Sequence, residues 1–224
     1  MLLQRLDLRD FRCLLDGGIP EEDDGIGGGQ EVRRLIEACP PSGKFRRCVQ
    51  LVENLVKEGK PVIIWCVFVD SIQTLSEALE ARGVPTRRIY GAVPLEERQD
   101  ILRDFKAGCF QVLLTNPHTL AESVSLHSVC HDAVYFEYSY NLVHLLQSKD
   151  RIHRLGLAVG QYTQYVFLQT EYLTENGPWS MEGVVYQRLR QKEETMLEAI
   201  GRRTLEVLPS SEEDLEMIFK PLLM

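Results

Sequence analysis

Several common markers of location and chemistry are missing from this sequence. Its six cysteines show no CxxC spacing, so no disulfide framework is predicted and a reducing compartment is expected. The most apolar run, Pro61–Val69, is far too short to span a bilayer, and the charged N-terminus lacks the apolar core of a signal peptide. The formal net charge of −8 argues against coating nucleic acid through bulk charge. We expect a soluble, cytoplasmic protein without membrane contacts, with room for a local basic groove.

A phosphate-binding loop is also missing. Gly43-Lys44 and Gly59-Lys60 lack both the earlier glycine and the following Ser or Thr of GxxxxGK[ST]. No acidic DExx sequence ends a predicted strand, where it could hold magnesium. The glycine-rich segment 25–29 is not a dinucleotide fingerprint, because no strand precedes it. The sequence therefore predicts no site of its own that grips the phosphates of a nucleotide.

A regular alternation of helices and strands begins at Ser42. Ser42 can cap a helix that Gly59 ends, and the apolar run after it is typical of a strand buried on both faces. Further strands are predicted over 86–91, 111–115, 132–137 and 161–169, and further helices after Asp70 or Ser71, after Pro94 and over Leu142–Leu155. This order indicates βαβ units and an α/β fold with a parallel sheet flanked by helices.

The alternation divides the chain into three parts. Residues 1–41 form an N-terminal extension of helix and glycine-rich acidic loop, and residues 42–172 form the α/β domain. Residues 173–224 form a C-terminal helical extension, in which a long amphipathic helix is predicted over 181–200.

The most distinctive stretch is QSKDRIHRLG, residues 147–156. Arg151 and Arg154 are three residues apart and would project from one face of a helix, with Gln147 one turn earlier. Two neighbouring guanidinium groups suit an anion, above all a phosphate chain. The alternative is a solvated basic helix end, and the spacing alone does not decide between the two.

Polar residues also follow several predicted strands. Ser71, Gly91 and Thr115 lie where loops leave the carboxyl ends of parallel strands, the edge at which open α/β sheets bind ligands. His127, Cys130 and His131 lie within five residues, but no second ligand pair follows at the spacing of a zinc site, so no metal site is predicted.

Five ordered segments carry a resemblance to a known family. Ser42-Gly43-Lys44 is similar to an entry helix, and VIIWCVFVDSIQTL to a strand segment usually written LIFSQFTDxLD. The later segments are IYGAVPLEERQDILRDF, similar to DGSTPxxxRQxxIxxF, VLLTNPHTLAESVSL, similar to a motif with a strand-terminal Thr, and QSKDRIHRLG, similar to QxxDRxHRxGQ. From Ser42 to about Leu168 the chain resembles the second, C-terminal RecA-like lobe of SNF2-type ATPases in helicase superfamily 2.

The resemblance implies a role for each matching residue. Arg154 would be the arginine finger that reaches the γ-phosphate of ATP, Arg151 a second phosphate contact, and Gln147 a contact to nucleotide or attacking water. ATP and Mg²⁺ would be held mainly by a first RecA-like lobe, in cis or in trans. Thr115, Ser71 and Gly91 would contact the double-stranded DNA backbone.

The sequence also departs from the family pattern. Two glycines of GxGxxL are replaced in the segment 121–126, Val69 replaces a hydroxyl residue, and Leu157 replaces the Gln after HRxG. We therefore keep three hypotheses: the second lobe of a DNA translocase that is nucleoid-associated on DNA, a non-catalytic interaction module or split subunit, and an unrelated nucleotide-binding transferase. Without a phosphate loop or DExx box, the chain alone is expected to be inactive as an ATPase.

Overall fold

The computed structural model describes residues 41–120, 124–153, 161–174 and 177–202. Residues 43–167 alternate between helices and strands, as the apolar runs and turn residues predict. The elements, in chain order, are α1 Gly43–Lys57, β1 Val62–Trp65, α2 Val69–Glu80, β2 Thr86–Ile89, α3 Leu95–Lys106, β3 Val112–Thr115, β4 Asp132–Tyr135, α4 Leu142–Asp150, β5 Gln164–Phe167, β6 Tyr172–Thr174, β7 Gly177–Trp179 and α5 Met181–Arg202. The predicted extension 1–41 falls almost entirely outside the described residues, and the three-part division remains a prediction.

Five strands form one parallel sheet in the order β2-β3-β1-β4-β5. The central strands β1, β3 and β4 are buried along their whole length. Such continuous burial requires apolar side chains on both faces, which explains why these strands appear in the sequence as unbroken hydrophobic runs. The predicted α/β, RecA-like fold is confirmed.

Two apolar layers cover the two faces of the sheet. One packs α1 and α2 against β1 around Val49, Ile72 and Leu75. The other packs α3 and α4 against the opposite face around Phe105, Trp65 and Tyr135, and it also includes Leu189 of α5. The long C-terminal helix is therefore packed onto the α/β domain through part of its length.

Two local predictions were wrong, and one element was not predicted. The helix predicted to run through Leu142–Leu155 ends at Asp150, and residues 151 and 152 form a turn. The unpredicted element is a short antiparallel hairpin in which β6 pairs with β7. Neither Asp70 nor Ser71 caps α2, because that helix already begins at Val69 and has no side-chain cap at its N-cap residue, Phe68.

Candidate functional site at the carboxyl edge of the sheet

The loops after β1, β2, β3 and β4 leave the sheet at one edge, because all of its strands are parallel. Helices α2, α3 and α4 begin at this edge. The edge therefore brings together segments that lie far apart in the sequence, and it includes Ser71, Gly91 and Thr115.

The end of α4 holds the first of the predicted phosphate contacts. Arg151 follows the helix directly and keeps helical dihedral angles, φ −65° and ψ −35°. Its position one turn after the exposed Gln147 therefore follows helical geometry, as predicted. The backbone carbonyl of Arg151 accepts a hydrogen bond from Leu126 N at 2.8 Å, and Nη1 donates to the Val124 carbonyl at 3.4 Å. These bonds join Arg151 to the connection between β3 and β4.

Buried hydroxyl groups position the last turn of α4. The Tyr135 hydroxyl lies 2.8 Å from Ser148 Oγ, which donates to the Leu145 carbonyl at 2.7 Å. The Tyr165 hydroxyl donates to the Lys149 carbonyl at 3.0 Å. Burial raises the pKa of Tyr135 far above its usual range, so this group stays a neutral hydrogen-bonding hydroxyl. Tyrosine side chains of β4 and β5 thus hold the end of α4 against the sheet.

Arg154 lies outside the described residues. The helix that was to carry Arg151 and Arg154 on one face ends before both of them, at Asp150. His153 follows the turn, and its ring Nδ1 lies 3.3 Å from Thr163 Oγ1. The roles of the two arginines as fingers remain predictions.

The predicted DNA contacts have different surroundings. The side chain of Thr115 is completely buried, and its hydroxyl donates weakly to the Asn116 carbonyl at 3.4 Å. Thr115 therefore presents no surface here, and its contact with the DNA backbone stays a prediction. Gly91 is exposed, and its carbonyl accepts from Arg98 Nη2 at 2.9 Å. Ser71 is partly buried, and its hydroxyl is used in a contact within the domain.

That contact comes from Glu137, which the sequence analysis missed. Its Oε2 accepts hydrogen bonds from the backbone amides of Val67 and Phe68, both at 3.0 Å, and its Oε1 accepts from Ser71 Oγ at 2.6 Å. The carboxylate therefore satisfies donors at the start of α2, where no local side chain does so. The sequence contains no local signal for this contact, because the partners are 66 to 70 residues apart.

A second contact between distant segments is formed by two histidines. The rings of His118, after β3, and His144, in the first turn of α4, have centroids 3.9 Å apart. Burial, and then the neighbouring His118, lower the pKa of His144 below its usual value. Both histidines lie at the carboxyl edge, beside the end of β3.

The charges at this edge are mixed. Asp70 lies in the first turn of α2, and Glu96 and Glu97 lie in the first turn of α3. Arg98 donates to the carbonyls of Val93 and Gly91 at 2.7 and 2.9 Å. The edge is therefore not a uniformly basic surface, in agreement with the negative net charge of the chain.

The cysteine and histidine cluster does not form a metal centre. Cys130 Sγ donates to the Pro61 carbonyl at 3.3 Å, His127 contacts Ser125, and His131 contacts Gln161. Within the described ranges no three His, Cys, Asp or Glu side chains are arranged to hold a metal ion. Those same ranges contain no helix that is long and apolar enough to cross a membrane.

Comparison with known proteins identifies similar domains. The chain matches the helicase conserved C-terminal domain over residues 43–156. It is 30% identical over 150 residues to the ATP-dependent helicase fft2 of Schizosaccharomyces pombe, covering 60% of this chain and 12% of that protein. It is 27% identical over 129 residues to the ATP-dependent DNA helicase DDM1 of Arabidopsis thaliana, covering 56% of this chain and 16% of that protein. The chain thus spans a small part of the length of these relatives.

Solved structures show the same fold. The crystal structure of the C-terminal part of the Fun30 ATPase domain aligns with a TM-score of 0.59 at 18% identity, covering 81% of this chain and 54% of that one. The family match spans half of the chain and includes the edge segments and the QSKDRIHRLG stretch. The chain belongs to the helicase conserved C-terminal domain family, and its fold is RecA-like.

Proposed function

We propose that this chain is the second ATPase lobe of an SNF2-like, ATP-dependent translocase on double-stranded DNA. The observation that carries the proposal is the fixed end of α4, where Gln147 and Arg151 follow one helical path. A guanidinium group held by the fold stabilises the charge that develops during phosphoryl transfer. In this proposal Arg154 extends the same phosphate contact.

The nucleotide and its magnesium ion are proposed to be held mainly by a first RecA-like lobe, in cis or in trans. The residues present fit only a part of that site. Arg151 suits a phosphate oxygen, while the described ranges contain no group of three side chains that could hold a metal. The sequence also lacks GxxxxGK[ST]. When bound, ATP would supply the phosphoanhydride whose hydrolysis drives movement, and this chain would supply positive charge at its outer phosphate.

A reconstitution experiment tests the proposal. The chain is mixed with, or fused to, a first lobe that carries a phosphate loop and a DExx box, and ATP hydrolysis is measured with and without double-stranded DNA. We expect DNA-stimulated turnover that Arg151→Ala or Arg154→Ala lowers by about a hundredfold or more. Arg103→Ala is the matched control, because Arg103 is an exposed residue near the end of α3 whose side chain pairs with Asp100. Unchanged turnover in both finger variants would contradict the proposal, as would DNA-stimulated turnover by the chain alone.

A non-catalytic interaction module is the second candidate. Acidic residues at the starts of α2 and α3 and the buried hydroxyl of Thr115 favour it, because they weaken the case for DNA contact at this edge. This candidate predicts a stable complex with a first lobe or another protein, but no ATP hydrolysis that depends on Arg151. The same reconstitution therefore separates the two functions.

A further inference from the structure

The start of α2 already holds an anion that belongs to the chain itself. Two backbone amides, of Val67 and Phe68, and the hydroxyl of Ser71 all point at the carboxylate of Glu137, at distances of 2.6 to 3.0 Å. This is the set of donors that a protein would offer to a phosphate oxygen. Glu137 therefore occupies donors that nucleic acid would otherwise use.

The carboxylate is fixed from its own backbone as well. The amides of Phe136 and Glu137 both donate to the Trp65 carbonyl, at 3.0 and 3.2 Å. Strands β1 and β4 are paired up to Trp65 and Tyr135, so Glu137 leaves the sheet next to the loop that it caps. Its position is set by strand pairing and not by a flexible surface loop.

Charge at the start of α2 also opposes a second anion. Asp70 lies in the first turn of the same helix and is exposed. A phosphate that approached Val67 or Phe68 would meet both carboxylates, and it would have to displace Glu137 to reach the amides. The Ser71 hydroxyl cannot donate to DNA while it donates to Glu137.

We propose that Glu137 is a specificity-determining residue of this edge, whose carboxylate excludes a DNA phosphate from the start of α2. The proposal rests on the proposed function in one respect, since it takes double-stranded DNA to approach the carboxyl edge. It goes beyond that function because it excludes phosphate from the part of the edge beside the ends of β1 and β4. Anion contacts are then directed to the basic side chain elsewhere on the edge, Arg98 near Gly91.

The first test compares DNA binding by two variants that lose the same charge. Glu137→Gln keeps an oxygen that can accept from the two amides, and Glu77→Gln removes an exposed carboxylate from the middle of the same helix. Affinity for a short DNA duplex is measured at several salt concentrations. We expect Glu137→Gln to bind about threefold tighter than the unmodified chain, as expected for one charge a few ångströms from a phosphate. The slope of log affinity against log salt concentration should steepen by an amount that corresponds to up to about one released ion. Glu77→Gln should change neither the affinity nor this slope by much.

The second test uses inorganic phosphate and needs no DNA binding. The backbone amide resonances of Val67 and Phe68 are followed during a phosphate titration of the unmodified chain and of Glu137→Ala. We expect no specific response in the unmodified chain and saturable shifts in the variant. The shifts of amides elsewhere on α2 show whether Glu137→Ala remains folded, and Glu137→Gln repeats the titration with the local acceptor retained.

The outcomes separate this inference from the proposed function. If no variant binds DNA, the proposed function loses support, while the phosphate titration still decides the inference. The inference is overturned if the Val67 and Phe68 amides of Glu137→Ala ignore phosphate. It is also overturned if DNA binds to Glu137→Gln no more tightly than to Glu77→Gln.

Discussion

Helices α1 and α2 pack on the same face of the sheet but begin in different ways. At the start of α1, Ser42 Oγ accepts a hydrogen bond from Phe45 N at 3.1 Å, only three residues away. Just before α2, Glu137, which follows β4, accepts instead from the amides of Val67 and the N-cap residue Phe68. The start of the first helix is capped by its own sequence, whereas the segment that leads into the second is held only after β1 and β4 have paired.

The difference has a consequence for function. A local cap stabilises one helix and touches nothing else. The contact of Glu137 joins the loop after β1 to the segment that leads into α4, the helix that Arg151 directly follows. Two segments of the candidate site are therefore held in one arrangement by a single carboxylate, and a change at Glu137 should be felt at both.

Removing the Glu137 carboxylate is expected to have the largest effect on stability. Glu137→Ala leaves three donors without their acceptor, so we expect the free energy of unfolding to fall by about 2–3 kcal/mol. Urea denaturation followed by circular dichroism measures the change. Hydrogen exchange at the amides of Val67 and Phe68 should accelerate in the same variant.

Two further variants serve as controls for this prediction. The free energy of unfolding of Glu137→Gln should fall by less than half as much as that of Glu137→Ala. The amide oxygen of the glutamine can still accept from both backbone amides, and the Ser71 hydroxyl can rotate. Ser71→Ala should add little to Glu137→Ala, since the two residues share one interaction. Additive losses in the double variant would mean that the contact between them is not formed.

Much of the fold can be predicted from the sequence because its signals are local. Ser42 caps α1 as predicted, and helices α1, α2 and α3 stop just before Gly59, Gly83 and Gly108, whose φ angles are 74° to 77°. Such positive φ angles favour glycine, so a glycine after an amphipathic run marks a helix end. The buried strands were equally clear, because a strand covered on both faces must be apolar throughout.

The candidate site was predicted less completely because its details depend on tertiary contacts. Thr115 was predicted to contact DNA, but it ends a strand that lies between β2 and β1, and its side chain is buried. Glu137 has no pattern that distinguishes it from any surface glutamate until β1 and β4 are side by side. The hairpin β6–β7 is short and exposed, and it lacks the alternation that identifies longer strands.

Removing the local cap should have a smaller and more confined effect. We expect Ser42→Ala to lower the free energy of unfolding by about 1 kcal/mol, with faster hydrogen exchange only in the first turn of α1. Ser42→Asp should restore stability, because aspartate is also a good acceptor at this position. If Ser42→Ala destabilised the chain as much as Glu137→Ala, the distinction between the two helix starts would be wrong.

The contact between His118 and His144 offers a third and smallest test of ties between distant segments. Because burial and His118 hold the pKa of His144 below 6.5, the folded chain binds fewer protons than the unfolded chain as the pH falls through that value. The contact should therefore lose stability on acidification from neutral pH, and the sign is opposite to that of a histidine beside a carboxylate.

We expect His118→Gln to raise the pKa of His144 towards its ordinary value, measured by NMR titration of the ring. His153→Gln, which changes a histidine that instead contacts Thr163, should leave the His144 titration unchanged. An unaltered His144 pKa in His118→Gln would show that the loop after β3 and α4 are not joined by this pair.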